Sequence, residues 1–234
     1  MIRALSIALS LTLALGATGA QSVDETKPYG RACVTVVDSK TKNETLLTDS
    51  LKPAAESNVS VHLEANSKCE AIVAAFSNVD GSLANGWRPV MVSLEQWKEQ
   101  TLPSADKSWA WVEAGQPFEV FVAFLPRNMP TAAKMLGLVA KLREGKGDAD
   151  VQKLQARQLR EGLRRWAASD SAVAGRPESA PTPIAATVAA RPESAPAPIA
   201  GTARGVDFPW RAHARRVNFT GEKPGVIIYR HDVP

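Results

Sequence analysis

Histidine, cysteine and tyrosine are scarce in this chain, whose 234 residues include three histidines, two cysteines and two tyrosines. His62, His213 and His231 show no metal-ligand spacing, so no metal site is expected. His62 falls on the polar side of a strand-like run and reads as a surface or edge histidine. Also missing are a Gly-x-Ser-x-Gly elbow, a phosphate-cradling glycine loop and a dinucleotide fingerprint. Those absences remove the signatures of the common hydrolases, nucleotide-binding proteins and dehydrogenases, and no cofactor is expected. Glu95 and Glu99 in "SLEQWKEQ" have the spacing of one helical turn, common on solvated faces. No recognised nucleic-acid module is visible. Beyond the first fifteen residues no apolar run approaches the ~18 residues a spanning helix needs.

The N-terminus has the form of an export signal. Arg3 supplies the positive region, Ile7 to Leu15 the short apolar run and Thr18-Gly19-Ala20 the small residues before a cut. Residues 1–20 read as a signal peptide, and the mature chain starts at Gln21. No cysteine follows the apolar run, so a lipid anchor is not expected. The expected location is the periplasm or the exterior of a bacterial cell. In that oxidising space Cys33 and Cys69, each in a strand-like run, read as a disulfide. A catalytic thiol is the alternative, and it requires a histidine brought near in space.

Residues 21–130 read as all-β. "RACVTVVD", "ETLLT", "NVSVHLEA", "CEAIVAAFS", "WRPVMVS", "KSWAWVE" and "PFEVFVAFLP" are short, rich in β-branched and aromatic residues, and separated by turn clusters. In "NVSVHLEA", Val59, Val61 and Leu63 point one way and Ser60, His62 and Glu64 the other. An apolar face of that kind needs a second sheet, so the expected fold is mainly β, an immunoglobulin-like or related β-sandwich.

After Pro130 the period changes. Residues 131–169 read as an amphipathic helical pair: Met135, Leu138, Val139 and Leu142 share one face, and "EGKGD" breaks the pattern. Asp148 or Asp150 can cap the second helix, whose apolar side carries Val151, Leu159, Leu163, Trp166 and Ala167. Lys153, Arg157, Arg160, Arg164 and Arg165 are basic and offer contacts to an anionic membrane surface. Residues 170–203 form a Pro/Ala-rich linker in which Arg-Pro-Glu-Ser-Ala-Pro-x-Pro-Ile-Ala occurs twice, at Arg176 and Arg191. Residues 204–234 are a basic, aromatic tail with one expected strand, Val226 to Arg230. Thirty residues cannot hold a core of their own, yet Phe208, Trp210, Phe219, Ile227, Ile228 and Tyr229 are too apolar for a solvated tail. The tail must dock, either on its own sandwich or on a protein partner by strand addition.

Charge follows these divisions. Residues 21–131 hold 10 basic and 14 acidic side chains, residues 132–166 hold 9 and 4, and residues 203–234 hold 6 and 3. An acidic β-region is thus followed by a basic helical pair and a basic tail, which favours docking within the chain. Tryptophan gives the clearest binding signal, with Trp87, Trp97, Trp109 and Trp111 close together in the chain: Trp87, Trp109 and Trp111 are candidates for a platform on which sugar rings stack, with an ordinary core as the other reading.

From "LLTDSLKPAAESNVSVHLEANSKCEAIVAAFSNVDGS" to "TLPSADKSWAWVEAGQPFEVFVAFLPR" the chain resembles a secreted bacterial β-sandwich domain of unknown function sometimes appended to caspase-like peptidases. The resemblance covers about residues 45–127 and implies a non-catalytic accessory role. Two functions are expected: a non-enzymatic binding or assembly module of the envelope that docks through its C-terminal tail, or a glycan-binding or glycan-acting protein using a tryptophan-bearing face.

Overall fold

The computed structural model describes residues 24–38, 40–41, 43–47, 57–84, 87–103, 109–110, 117–169 and 209–231, residues 109–110 by backbone alone. The expected signal peptide, the linker, Trp111 and Phe208 lie outside these residues, as does the side chain of Trp109.

The described chain is mainly strand, arranged as two antiparallel sheets. In sheet A, β1 (Tyr29–Val37) pairs along its length with β3 (Asn58–Ala65), with His62 opposite Cys33 and Glu64 opposite Arg31. The outer edge of β1 is shared by β2 (Glu44–Leu46) and the C-terminal β9 (Arg215–Asn218). The outer edge of β3 takes β6 (Gln100–Leu102) and β7 (Trp109–Ala110). Sheet B runs β10 (Gly225–His231), β8 (Phe118–Pro126), β4 (Cys69–Ser77), β5 (Val90–Leu94).

Alternation explains how the sheets meet. Ala32, Val34 and Val36 of β1, with Val59, Val61 and Leu63 of β3, form one buried cluster with Ala71, Val73, Val120, Val122 and Phe124 of sheet B. Gly30 marks the closest approach, since a Cβ there would run into the Phe124 ring. The other face of β4 and β8, with Ile72, Ala74, Phe76, Phe121 and Leu125, forms a second cluster under the helices. Sheet B is therefore covered on both faces, which is why "AIVAAF" and "VFVAFL" read as continuous apolar runs.

The helices follow a 3-10 turn, Pro130–Ala132. Helix α1 (Ala133–Glu144) buries Met135, Leu138, Val139 and Leu142 and ends at Gly145 in the left-handed conformation, φ 63°. Helix α2 (Ala149–Ser169) starts at Asp148, whose carboxylate accepts from the Asp150 N–H at 2.7 Å, and buries Ala156, Leu159 and Leu163. The third helix, α3 (Trp210–His213), is a single turn after Pro209.

The C-terminal segment contributes a strand to each sheet. Residues of β9 pair with Tyr29 to Ala32, and β10 pairs residue for residue with β8 from Gly225–Phe124 to His231–Phe118. Val217, Phe219, Ile227 and Tyr229 enter the cluster between the sheets, and the Tyr229 hydroxyl donates to the Ala32 carbonyl at 2.6 Å. Ile228 is half-buried against the helix-side cluster.

The expected disulfide is not formed: Cys33 and Cys69 are both free and buried. They belong to different sheets, and Cys33 is out of phase with the core-facing Ala32 and Val34, while Cys69 sits inside the shared cluster. Side chains on opposite sides of a sheet cannot reach one bridge without moving the backbone.

Candidate functional site

Three places gather chemistry. The first is the outer face of sheet A, where Thr35, His62 and Glu64 are buried although polar. Helix α3 roofs them: the Trp210 ring stacks on His62, centroids 5.5 Å apart and planes 15° from parallel. Its Nε1–H donates to Glu99 at 2.8 Å. Arg211 donates to Glu64 at 3.0 Å and to Glu99 at 3.1 Å, and Arg31 pairs with Glu64 from the other side. Nε2 of His62 lies 2.7 Å from Glu44, and Nδ1 lies 3.2 Å from the Thr101 hydroxyl. Burial works to raise the Glu44 carboxyl, but hydrogen bonds with His62 and Thr35 outweigh it and hold the group below its usual range. An ionised Glu44 only accepts, so Nε2 of His62 donates to it.

Cys33 stands opposite His62 in this sheet, which is the proximity a catalytic thiol requires. The chemistry does not follow. Burial pushes the Cys33 thiol up to about 12, as it does the Cys69 thiol, so the nucleophilic thiolate is not populated near neutrality. His62 is a buried, bonded ring under Trp210, in contrast to the edge histidine expected from its strand.

The second place is the outer face of sheet B, where Glu119 of β8 is 2% exposed. Arg160 donates to it from Nε and Nη2 at 3.2 and 2.9 Å, Arg164 from Nη2 to both oxygens at 2.9 and 2.8 Å, and Arg230 from Nε at 3.1 Å. Desolvation opposes ionisation, but hydrogen bonds from Arg160 and Arg164 prevail and the carboxyl is lowered. Arg157 donates to the Asp80 carbonyl at 2.9 Å. Arg157, Arg160 and Arg164 thus turn back onto sheet B, where the sequence places them on a solvated basic face; Lys153 and Arg165 remain exposed.

The third place is the passage from β5 to β6. Glu95 and Glu99 are not on a helical turn there, because the chain is crossing from one sheet to the other. Trp97 adopts φ 57°, the left-handed region, although its side chain is large. Its N–H donates to the Ala65 carbonyl at 2.8 Å. The ring stands edge-on to Tyr29, with centroids 6.0 Å apart, and remains 52% exposed. Ser93, Glu95, Lys98, Glu99 and Gln100 line an open recess of about 300 Å³ at this corner. Lys68 and Arg127 hold Glu95 at 2.9 Å each.

No known protein family, curated protein or solved structure matches the chain.

Several candidate residues change character in three dimensions. Trp87, 4% exposed, is part of the cluster between the sheets and cannot be a platform. Trp210, Phe219, Ile227 and Tyr229 are buried against the protein's own sheets. Among the described residues no group of three or more histidine, cysteine or acidic side chains has the arrangement of a metal site. Sequence reasoning counts Trp97 in the tryptophan cluster without naming it for the platform, and it does not single out Glu119. The signal for Glu119 was present, a lone carboxylate inside the apolar run "PFEVFVAFLP", whereas the left-handed φ of Trp97 had none, because such a φ is uncommon outside glycine, asparagine and a few others.

Proposed function

We propose that this chain is an exported, non-enzymatic binding module built on an immunoglobulin-like β-sandwich, and that it takes a saccharide at the Trp97 corner. The observation that carries this reading is Trp97 itself: a half-exposed indole, held at φ 57°, in the same β5-to-β6 passage whose Glu95, Lys98, Glu99 and Gln100 line an open recess. Holding a bulky residue in that region costs about 1–3 kcal/mol, and such positions cluster at ligand clamps. An indole face packs against the C–H face of a sugar ring. Glu99 and Gln100 accept from sugar hydroxyls, and Lys98 and Gln100 donate to them. The sites with a buried histidine or thiol are roofed or protonated, which favours binding over catalysis. Export rests on the signal-like residues 1–20, and the accessory role agrees with the resemblance to domains appended to caspase-like peptidases. Capture of a partner by the C-terminal strand is less favoured, because that strand is already paired with β8.

The test is co-sedimentation of the mature protein with insoluble cellulose, chitin and peptidoglycan. Retention on at least one, weakened tenfold or more by Trp97→Ala with the melting temperature little changed, is the expected result. No retention on any of them, or retention indifferent to Trp97, overturns the reading.

A further inference from the structure

Independently of the Trp97 corner, we infer that Arg164 and Arg230 form a binding site for a phosphate-type oxyanion at the seam between α2 and β10. The argument starts from a charge imbalance. Three guanidiniums, Arg160, Arg164 and Arg230, converge on the single carboxylate of Glu119. A carboxylate has about four lone-pair positions, and its two oxygens here already receive five N–H contacts. Glu119 is saturated, and two positive charges remain without a partner in the cluster.

The surroundings add to the imbalance. Arg157 approaches from the preceding turn of α2 and is bound to a backbone carbonyl. The nearby carboxylate of Asp80 is occupied by Ser82, at 2.7 Å from its hydroxyl and 3.0 Å from its N–H. Asn78 accepts from Arg160 at 2.6 Å, so that guanidinium spends Nε and Nη2 inward and is only 13% exposed.

Arg164 and Arg230 are not committed in that way. Their side chains are 47% and 59% exposed. Arg164 uses only Nη2 on Glu119 and Arg230 only Nε, so among the described residues Nε and Nη1 of the first and both Nη atoms of the second have no acceptor. One arginine is enough to neutralise Glu119 and pin α2 to sheet B, and Arg160 does so with two bonds. The other two are held by the same carboxylate while their side chains stay about half exposed. Arg230 keeps its two Nη groups as one fork, Arg164 adds separate Nε and Nη1 donors beside the Nη2 bound to Glu119, and with a net charge of two they match a phosphate or sulfate, which accepts several N–H bonds from guanidinium.

The experiment titrates the mature chain with inorganic phosphate and with sulfate, following heat of binding and melting temperature against chloride at matched ionic strength. A saturable response to the oxyanions alone is expected, weakened at least tenfold in Arg164→Gln/Arg230→Gln. The variant Arg164→Lys/Arg230→Lys keeps the charge and removes the guanidinium donors, and it too is expected to lose the response. A response equal to that of chloride with no vesicle retention, or one retained by the lysine variant, overturns the proposal. A second arm uses phosphatidylcholine vesicles with and without phosphatidylglycerol. Retention specific to phosphatidylglycerol and lost in the glutamine variant places the phosphate on a lipid headgroup. Saturable binding of free phosphate without vesicle retention makes the ligand soluble. Absence of both overturns the site and leaves the saccharide reading untouched.

Discussion

At the residue scale, two side chains separate what the fold needs from what it tolerates. Trp97 sits where glycine would be relaxed. If the indole is held for a ligand, Trp97→Gly exchanges the edge contact with Tyr29 for relief of strain, and the expected net change in stability is within about 1 kcal/mol. A denaturant midpoint measures it; a loss of about 3–5 kcal/mol, typical for removal of a core aromatic, marks the ring as structural instead. Gly30 is the opposite case: Gly30→Ala forces a methyl into the Phe124 ring and is expected to cost about 1–3 kcal/mol. The cysteines give a further test. With both thiols pushed up to about 12 and buried, a thiol reagent is expected to find none in the native protein and two after denaturation. The phase of β1 contained the correction: Cys33 alternates with Ala32 and Val34, so a cysteine next to core residues in sequence belonged to the opposite face.

At the scale of elements, most strands were legible, and the short edge strands β6 and β9 were not. The runs that became β1, β3, β4 and β8 are long enough for alternation or continuous apolarity to show, and α1 and α2 follow the 3.6-residue period. The strand β9 was missed because "RRVN" has one apolar residue and two arginines, and its pairing with β1 is decided by tertiary contact. The contacts of Arg160 and Arg164 were not legible for a related reason: periodicity locates a face, but the buried Glu119 that binds them is far away in sequence. Helix docking then gains a pH dependence. Glu119 and Glu44 titrate below their unfolded value of about 4.3, so the stability they contribute is complete above that pH and is lost as pH falls through the lower folded values. Melting temperatures below about pH 4 are expected to fall for the native sequence and to fall less for Glu119→Gln. That variant starts about 1–3 kcal/mol less stable at pH 7, less than for a fully buried pair because Arg164 and Arg230 stand half in water.

At the scale of the whole molecule, the last strands complete both sheets. Trp210, Val217, Phe219, Ile227 and Tyr229 are all buried, each worth about 1.5–3 kcal/mol on transfer from water. A chain ending after Ala174 is expected to lose cooperative unfolding. In the full protein, amide exchange across β10 is expected to be as slow as across β8; rapid exchange confined to β10 would show that the pairing does not persist. The need for the tail to dock was readable from its composition, and its division between two sheets was not.

The path of the chain between Ser169 and Pro209 carries one more consequence. Both residues belong to elements packed on the same body, α2 against sheet B and α3 against sheet A. Hydrogen bonds such as that from the Tyr229 hydroxyl to the Ala32 carbonyl, and the pairing of β10 with β8, join the parts of the chain on either side of that interval. After a protease cut there the two fragments are expected to co-elute until denatured, held by these contacts. Produced apart, they form a two-piece complementation system, in which a short peptide restores a fold that the larger piece cannot close by itself.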